Sequence, residues 1–280
     1  MTRLLFLIGL AAAITLAGPQ RTGLTPAQAA GLDFASQGDN APIEVYSDQG
    51  IEWIQDAKKF IARGNARAAR GNVVVRADTL VAHYRDKGSS GTEIWKLEAL
   101  NNVRITSTDT TAFGDSAVYD IDKMVLVLRG RPAKLTTPSD TVTATDSIEY
   151  WETKKLAVAR GDALVDHDGK RLKADTITAE LNENRAGKQE IKKADAFGNV
   201  LIRTANEIVT GERGAYYADR DLATITGAVK MTRDRNQLNG GYAEVNLATG
   251  VSKLFPNAPG QTGSGRVQGL LVPDRGAKGR

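Results

Sequence analysis

Gly71-Asn72-Val73-Val74-Val75-Arg76-Ala77-Asp78-Thr79-Leu80, echoed 97 residues later by Ala174-Asp175-Thr176-Ile177, decides how the whole chain is read. A Gly-Asn turn leads into a β-branched run, and an Ala-Asp step opens a second run. In that second run Leu80, Ala82 and Tyr84 alternate with positions such as His83. Alternation with a period of two is the mark of a strand with one face inside and one in water. Similar short runs recur at 73–75, 103–105, 124–128, 200–202 and 228–231, and from residue 43 on no stretch sustains a helical period. Between residues 30 and 253 proline occurs only at Pro42, Pro132 and Pro138, as a long hydrogen-bonded sheet requires. The fold class is all-β.

The runs form a duplication. Turn residues Gly64, Asn101 and Gly130 map onto Gly161, Gly198 and Gly227 by the same shift of 97. Under it Asn102-Val103 falls on Asn199-Val200, and Gly114-Asp115 on Gly211-Glu212. Acidic residues recur at the strand entrances: Asp48, Asp78, Asp115, Asp146, Asp175 and Glu212. A unit of this kind cannot bury its apolar face alone, so successive units must stack into one elongated β-structure. The inward positions are aliphatic and of middling size. Composition leaves open whether they close into a dry core or leave room for an apolar ligand.

The 280 residues carry a net charge of +4 and no cysteine, which excludes a disulfide scaffold and thiol chemistry. The charge lies at the ends. Residues 30–253 hold 31 basic and 32 acidic side chains, so the body offers no polycation for a nucleic acid. At the start, Met1-Thr2-Arg3 precedes fourteen uncharged residues, Leu4 to Ala17, and a polar stretch ending Ala27-Gln28-Ala29-Ala30. This is the order of a cleavable export signal over residues 1–29, too short in its apolar part for a spanning helix. At the other end, residues 254–280 have the Gly/Pro-rich composition of a basic tail, expected to lack order. Within that tail, residues 266–273 are able to add a short strand.

Catalytic patterns are missing. His83 and His167 occupy unmatched positions of the repeat, and neither has a second ligand at metal spacing, so no metal or cofactor is expected. His167 belongs to Asp166-His167-Asp168-Gly169, a hairpin sequence. Gly114-Asp115-Ser116-Ala117 is similar to an esterase nucleophile block, yet it coincides with a repeat position and lacks a suitable downstream His. The recurring acids are expected to be turn or edge devices rather than paired catalytic carboxylates.

The export signal, the cysteine-free repeats and the segments Gly64-Asn65-Ala66, Gly71-Asn72-Val73-Val74-Val75, Ala77-Asp78-Thr79-Leu80, Asn101-Asn102-Val103-Arg104-Ile105, Leu128-Arg129-Gly130-Arg131-Pro132-Ala133 and Gly198-Asn199-Val200 together resemble the LptA/OstA family of lipopolysaccharide transport proteins. The likeness spans about 42–253. The resemblance implies an elongated, twisted β-jellyroll of stacked antiparallel repeats, a periplasmic location and no enzymatic activity. It also implies an interior that shields the acyl chains of lipopolysaccharide. Parity then assigns Val73, Val75, Leu80, Ala82, Val103, Ile105, Ile148, Ile177, Ala179, Val200 and Ile202 to lipid contact. A further implication is end-to-end β-augmentation with inner- and outer-membrane transport components or with further copies. Ile43, Val45, Tyr242, Val245 and Leu247 stand on the candidate edge strands. Under this reading Ile177→Arg abolishes lipid contact without unfolding.

Two other readings compete. One is the related inner-membrane partner, which keeps its N-terminal segment as an anchor. The other is an unrelated secreted β-repeat that acts as a scaffold or binds glycans.

Overall fold

The computed structural model of the chain describes residues 43–272 except 89–90, 168, 184–188, 206, 247, 250 and 262–264. The expected export signal lies outside the described residues. A first unit contains β1 (Glu44–Tyr46), β2 (Ile51–Ile54), β3 (Lys59–Arg70), β4 (Val73–Asp86), β5 (Thr92–Thr106), β6 (Thr111–Asp120), β7 (Val125–Arg129) and β8 (Ala133–Thr136). A second contains β9 (Asp140–Ala144), β10 (Ser147–Trp151), β11 (Leu156–His167), β12 (Lys170–Glu183), β13 (Gln189–Arg203), β14 (Glu207–Tyr217), β15 (Leu222–Arg233), β16 (Asn236–Asn246), β17 (Val251–Phe255) and β18 (Gln268–Leu270). All ladders between them are antiparallel and join into one sheet of 18 strands.

Each long strand is shared by two half-sheets. β3 pairs with β2 through its first half (Ile51↔Ala62) and with β1 through its second (Val45↔Ala68). One shift of 97 carries these pairs onto Ile148↔Ala159 and Val142↔Val165 in the second unit. Between the halves, every long ladder skips register, as at Arg63/Ala66, Leu100/Val103, Arg160/Ala163 and Phe197/Val200. Such a bulge bends the strand and turns its second half onto the facing sheet.

The bend has a local chemical cause. Gly64-Asn65, Gly161-Asp162 and Gly198-Asn199 place two successive residues at positive φ, for example +73° and +49° at 198–199, a conformation that Gly and Asn adopt most readily. The recurring acid of the neighbouring strand lies over this corner. Asn65 Nδ2 donates to Asp48 Oδ2 at 2.7 Å, Asn102 to Asp78 at 2.9 Å, and Asn199 to both Asp175 oxygens at 3.0 and 3.1 Å. A Cβ at Gly198 would collide with the Asp175 carboxylate, and one at Gly227 with Glu212. The acids are thus corner pieces, as their periodicity suggests. Just past the corner, Ala66 and Ala163 are fully buried where the two half-sheets meet.

At the C-terminal end the structure corrects the edge assignment. Tyr242 and Val245 are not edge residues, because Tyr242–Asn246 pairs on its second side with Val251–Phe255. Tyr242 is buried, donates to Glu244 at 2.8 Å, and has its phenol pushed up to about 12 by burial and by that carboxylate. Leu247 lies outside the described residues. The chain reverses through a turn in which Asn246 accepts from the Thr249 backbone at 2.9 Å, and this turn makes room for one more strand. The tail expected to lack order also supplies β18, paired to β16 through Leu238↔Gly269. The terminal strands are therefore β17 and β18 at one end and β1 and β2 at the other.

On the outer face Glu149 accepts from Arg160 Nε at 2.9 Å, Trp151 Nε1 at 3.0 Å and Ser147 Oγ at 2.9 Å. Burial pulls its pKa upward, but these donors outweigh it and hold the carboxyl below its usual value. A depressed folded pKa adds stability that is complete above the unfolded value of about 4.3 and is lost as pH falls through the folded one. The stability of the wild-type chain, followed by denaturant midpoint, is expected to drop below about pH 4, and Glu149→Gln to shallow that drop. Gly198→Ala, which meets both the collision and the positive φ, is expected to cost about 2–3 kcal/mol. Gly50→Ala, with φ +97° but open space, is expected to cost about 1 kcal/mol in the same thermal or denaturant unfolding measurement.

Candidate apolar slot

Between the half-sheets of the first unit lies a cavity of about 430 Å³. Its walls come from both halves of the bent strands. One wall carries Val73, Val75 and Ile105; the other carries Phe60, Leu80, Ala82 and Leu97. The corner fixes this geometry, since it turns alternate side chains of both halves toward the same interior. Arg70 and Glu98 are the two charged lining residues. Glu98 is partly buried, which raises its pKa, but Lys96 Nζ at 2.7 Å outweighs the burial and holds it ionised. His83 Nε2 stands 3.3 Å from the same carboxylate, and its ring packs on Trp95 on the outer face. Four lining residues, Ile43, Val45, Ile51 and Met124, are 37–53% exposed, so the slot is open to water along β1 and β2 and beside Met124.

The residues singled out from sequence divide between the two units. Val73, Val75, Leu80, Ala82 and Ile105 line the cavity. Ile43 and Val45, expected as edge residues, line it too. Val103 is buried in the same apolar cluster, and Ile148 packs against the clusters of both units. Ile177, Val200 and Ile202 are 6%, 1% and 6% exposed within the cluster of the second unit, packed with Leu172, Tyr216 and Met231. Ala179 is half-buried, paired with Ala157 and Ala194.

Sequence parity missed Ile94, whereas Leu97 shares the parity of Val103 and Ile105 and was legible. The ladder between β4 and β5 shifts register where His83 faces Lys96 and Tyr84 faces Ile94, and the extra residue, Trp95, reverses the parity beyond it. The signal was the odd spacing of two aliphatics around Trp95-Lys96. His167 closes the β11–β12 hairpin against Lys170 and lies 2.7 Å from Asp140, a structural role. Among the described residues there is no cluster of three or more His, Asp or Glu suited to a metal.

The sequence model of the family described as LptA/(LptD N-terminal domain) LPS transport protein matches residues 44–150 and again 144–251. The chain belongs to this family. The two matches follow one another along nearly the whole described β-structure, so one chain carries the family's unit twice. A curated protein of Rhizobium meliloti (strain 1021), the uncharacterized protein R00383, is 27% identical over 101 residues, covering 35% of this chain and 54% of that protein. The chain thus spans about half the length of this curated relative. The crystal structure of LptH, described as the LptA homologous periplasmic component of the lipopolysaccharide transport device of Pseudomonas aeruginosa, aligns with a TM-score of 0.40 at 18% identity. It covers 48% of this chain and 95% of that one.

In this member of the LptA/LptD N-terminal family, the close packing around Ile177 overturns the expectation that Ile177→Arg leaves the fold intact. A charge placed there has neither water nor a partner, and the substitution is expected to cost about 3–5 kcal/mol or to prevent folding. Leu80→Arg points into the open slot, where its guanidinium can reach solvent. Circular dichroism melts of the two variants are expected to show a large loss for the first and a loss of about 1–2 kcal/mol for the second.

Proposed function

We propose that the chain is a non-enzymatic, periplasmic component of lipopolysaccharide transport that carries the acyl part of its cargo in the slot of the first unit. One observation supports this above the rest. A member of a lipopolysaccharide transport family holds an apolar, solvent-open cavity between its half-sheets, lined almost entirely by carbon. Each methylene removed from water there is favoured by about 0.8 kcal/mol, and a slot open along one side releases a chain as readily as it admits one. The terminal strands extend the reading. β1 and β2 at one end, and β17 and β18 at the other, carry exposed apolar side chains such as Val45, Trp53, Val251 and Leu270. Unblunted edges of this kind suit strand addition by neighbouring transport components or by another copy, so the chain serves as a segment of a bridge between the two membranes. The export signal read at residues 1–29 fits the same location.

Photo-crosslinking side chains placed at Leu80 and Ile105 in living Gram-negative cells test the reading. Adducts to lipopolysaccharide are expected at both, with none at Thr178, which faces outward by strand parity. The absence of lipopolysaccharide adducts at both inner positions, in a chain that is exported and folded, overturns it.

A further inference from the structure

The duplicated family unit suggests two equivalent compartments. We infer instead that this chain has one: the first unit takes a single alkyl chain, entering past Trp53, while the second unit is a closed extension that takes none. The inference rests on the lipid-carrying reading above and narrows it to a place, a capacity and a mouth.

Place follows from which wall carries the bulk. Under the shift of 97, Leu97, Ile121 and Leu126 of the first unit correspond to Ala194, Ala218 and Ala223 of the second. Those alanines are 2–8% exposed. With small residues on that wall, the facing half-sheet closes onto it and brings Leu172, Ile202 and Met231 into one buried cluster with Tyr216 and Ile225. The equivalents of Leu172 and Ile177 in the first unit, Val75 and Leu80, remain half-exposed and line the cavity. Close packing leaves the second unit no room for a chain unless its walls separate.

Capacity follows from volume. A cavity of about 150 Å³ that accepts benzene allots about 25 Å³ to each carbon. At that rate the cavity of about 430 Å³ holds about 17 carbons, the size of one long acyl chain rather than a bundle of several.

The mouth is marked by rings. Trp53 is 59% exposed, stacks on Phe60 at 5.3 Å and donates from Nε1 to the Tyr84 hydroxyl at 2.8 Å. Phe60 lines the cavity and pairs directly with Trp53 across the β2–β3 ladder. An amphipathic ring cluster at the boundary between apolar slot and water offers a contact surface to an entering chain. The other two tryptophans lie elsewhere: Trp95 packs on His83 and Lys96, and Trp151 hydrogen-bonds Glu149 beneath Lys154. Trp53 is therefore a built-in reporter of occupancy.

The test titrates the full exported chain with brominated fatty acids, whose bromine atoms quench nearby tryptophan emission. It is paired with lipopolysaccharide crosslinking from Leu80 and from Leu172. Brominated hexadecanoate is expected to quench at one equivalent per chain, and Trp53→Phe to remove most of the quench. Affinity is expected to rise steeply from decanoate to hexadecanoate and to level off by docosanoate. Crosslinks are expected from Leu80 and not from Leu172. Two equivalents, an undiminished quench in Trp53→Phe, continued gain out to docosanoate, or equal crosslinking from Leu172 each overturn the single compartment while leaving lipid carriage standing. No quench together with no crosslink from either position overturns both.

Discussion

A carboxylate laid over a glycine holds this molecule in shape. At these corners one strand takes two successive residues through the left-handed region, and at Asn65, Asn102 and Asn199 the next strand supplies an acid that accepts from the corner asparagine. At Gly161, Gly198 and Gly227, where there is no Cβ, the acids Asp146, Asp175 and Glu212 pack directly on the backbone. Each such pair bends two adjacent strands at the same height, so the bends align into a column and the sheet folds along it. The interior between the half-sheets, open in one unit and filled in the other, exists because that column does.

Much of this was legible in the residues. The corner chemistry demands Gly, Asn and Asp at fixed separations, so the duplication could be read from Gly64, Asn101 and Gly130 and their partners 97 residues on. Strand parity placed Val75, Leu80 and Ile105 correctly on the inner face, because alternation survives within any unbroken run. It failed at Trp95, where an inserted residue reverses the faces, because a bulge away from Gly or Asn leaves only the odd spacing of Ile94 and Leu97 to mark it. The C-terminal edge was misplaced because β17 and β18 are short and are separated by a stretch that reads as a linker. Whether an inward aliphatic touches neighbours or empty space was beyond the sequence altogether. Val75 and its counterpart Leu172 are both inward aliphatics, and their surroundings differ through alanines on the opposite wall.

The outer faces show how a β-stack of near-neutral charge keeps its surface ordered. Arg85 holds both Asp122 oxygens at 2.8 and 2.9 Å and reaches Glu93, and Arg171 holds Asp166 at 2.7 Å. Pairs this exposed add little stability individually. Their service is to set opposite charges across neighbouring strands, which disfavours slipped registers in a sheet whose ladders are otherwise similar.

One feature of the topology gives the stack a mechanical character. The long strands on either side run unbroken through the corner, but at the join of the two units β7 and β8 are separate, and so are β9 and β10. The links are the short segments 130–132 and 145–146. Two adjacent layers are thus cut at the same height. Apart from the short terminal strands, torque applied along the stack meets a continuous backbone except there, so the join is a compliant cross-section between the two units. The two ends can adjust their relative twist to whatever they contact while the corners of each unit stay rigid.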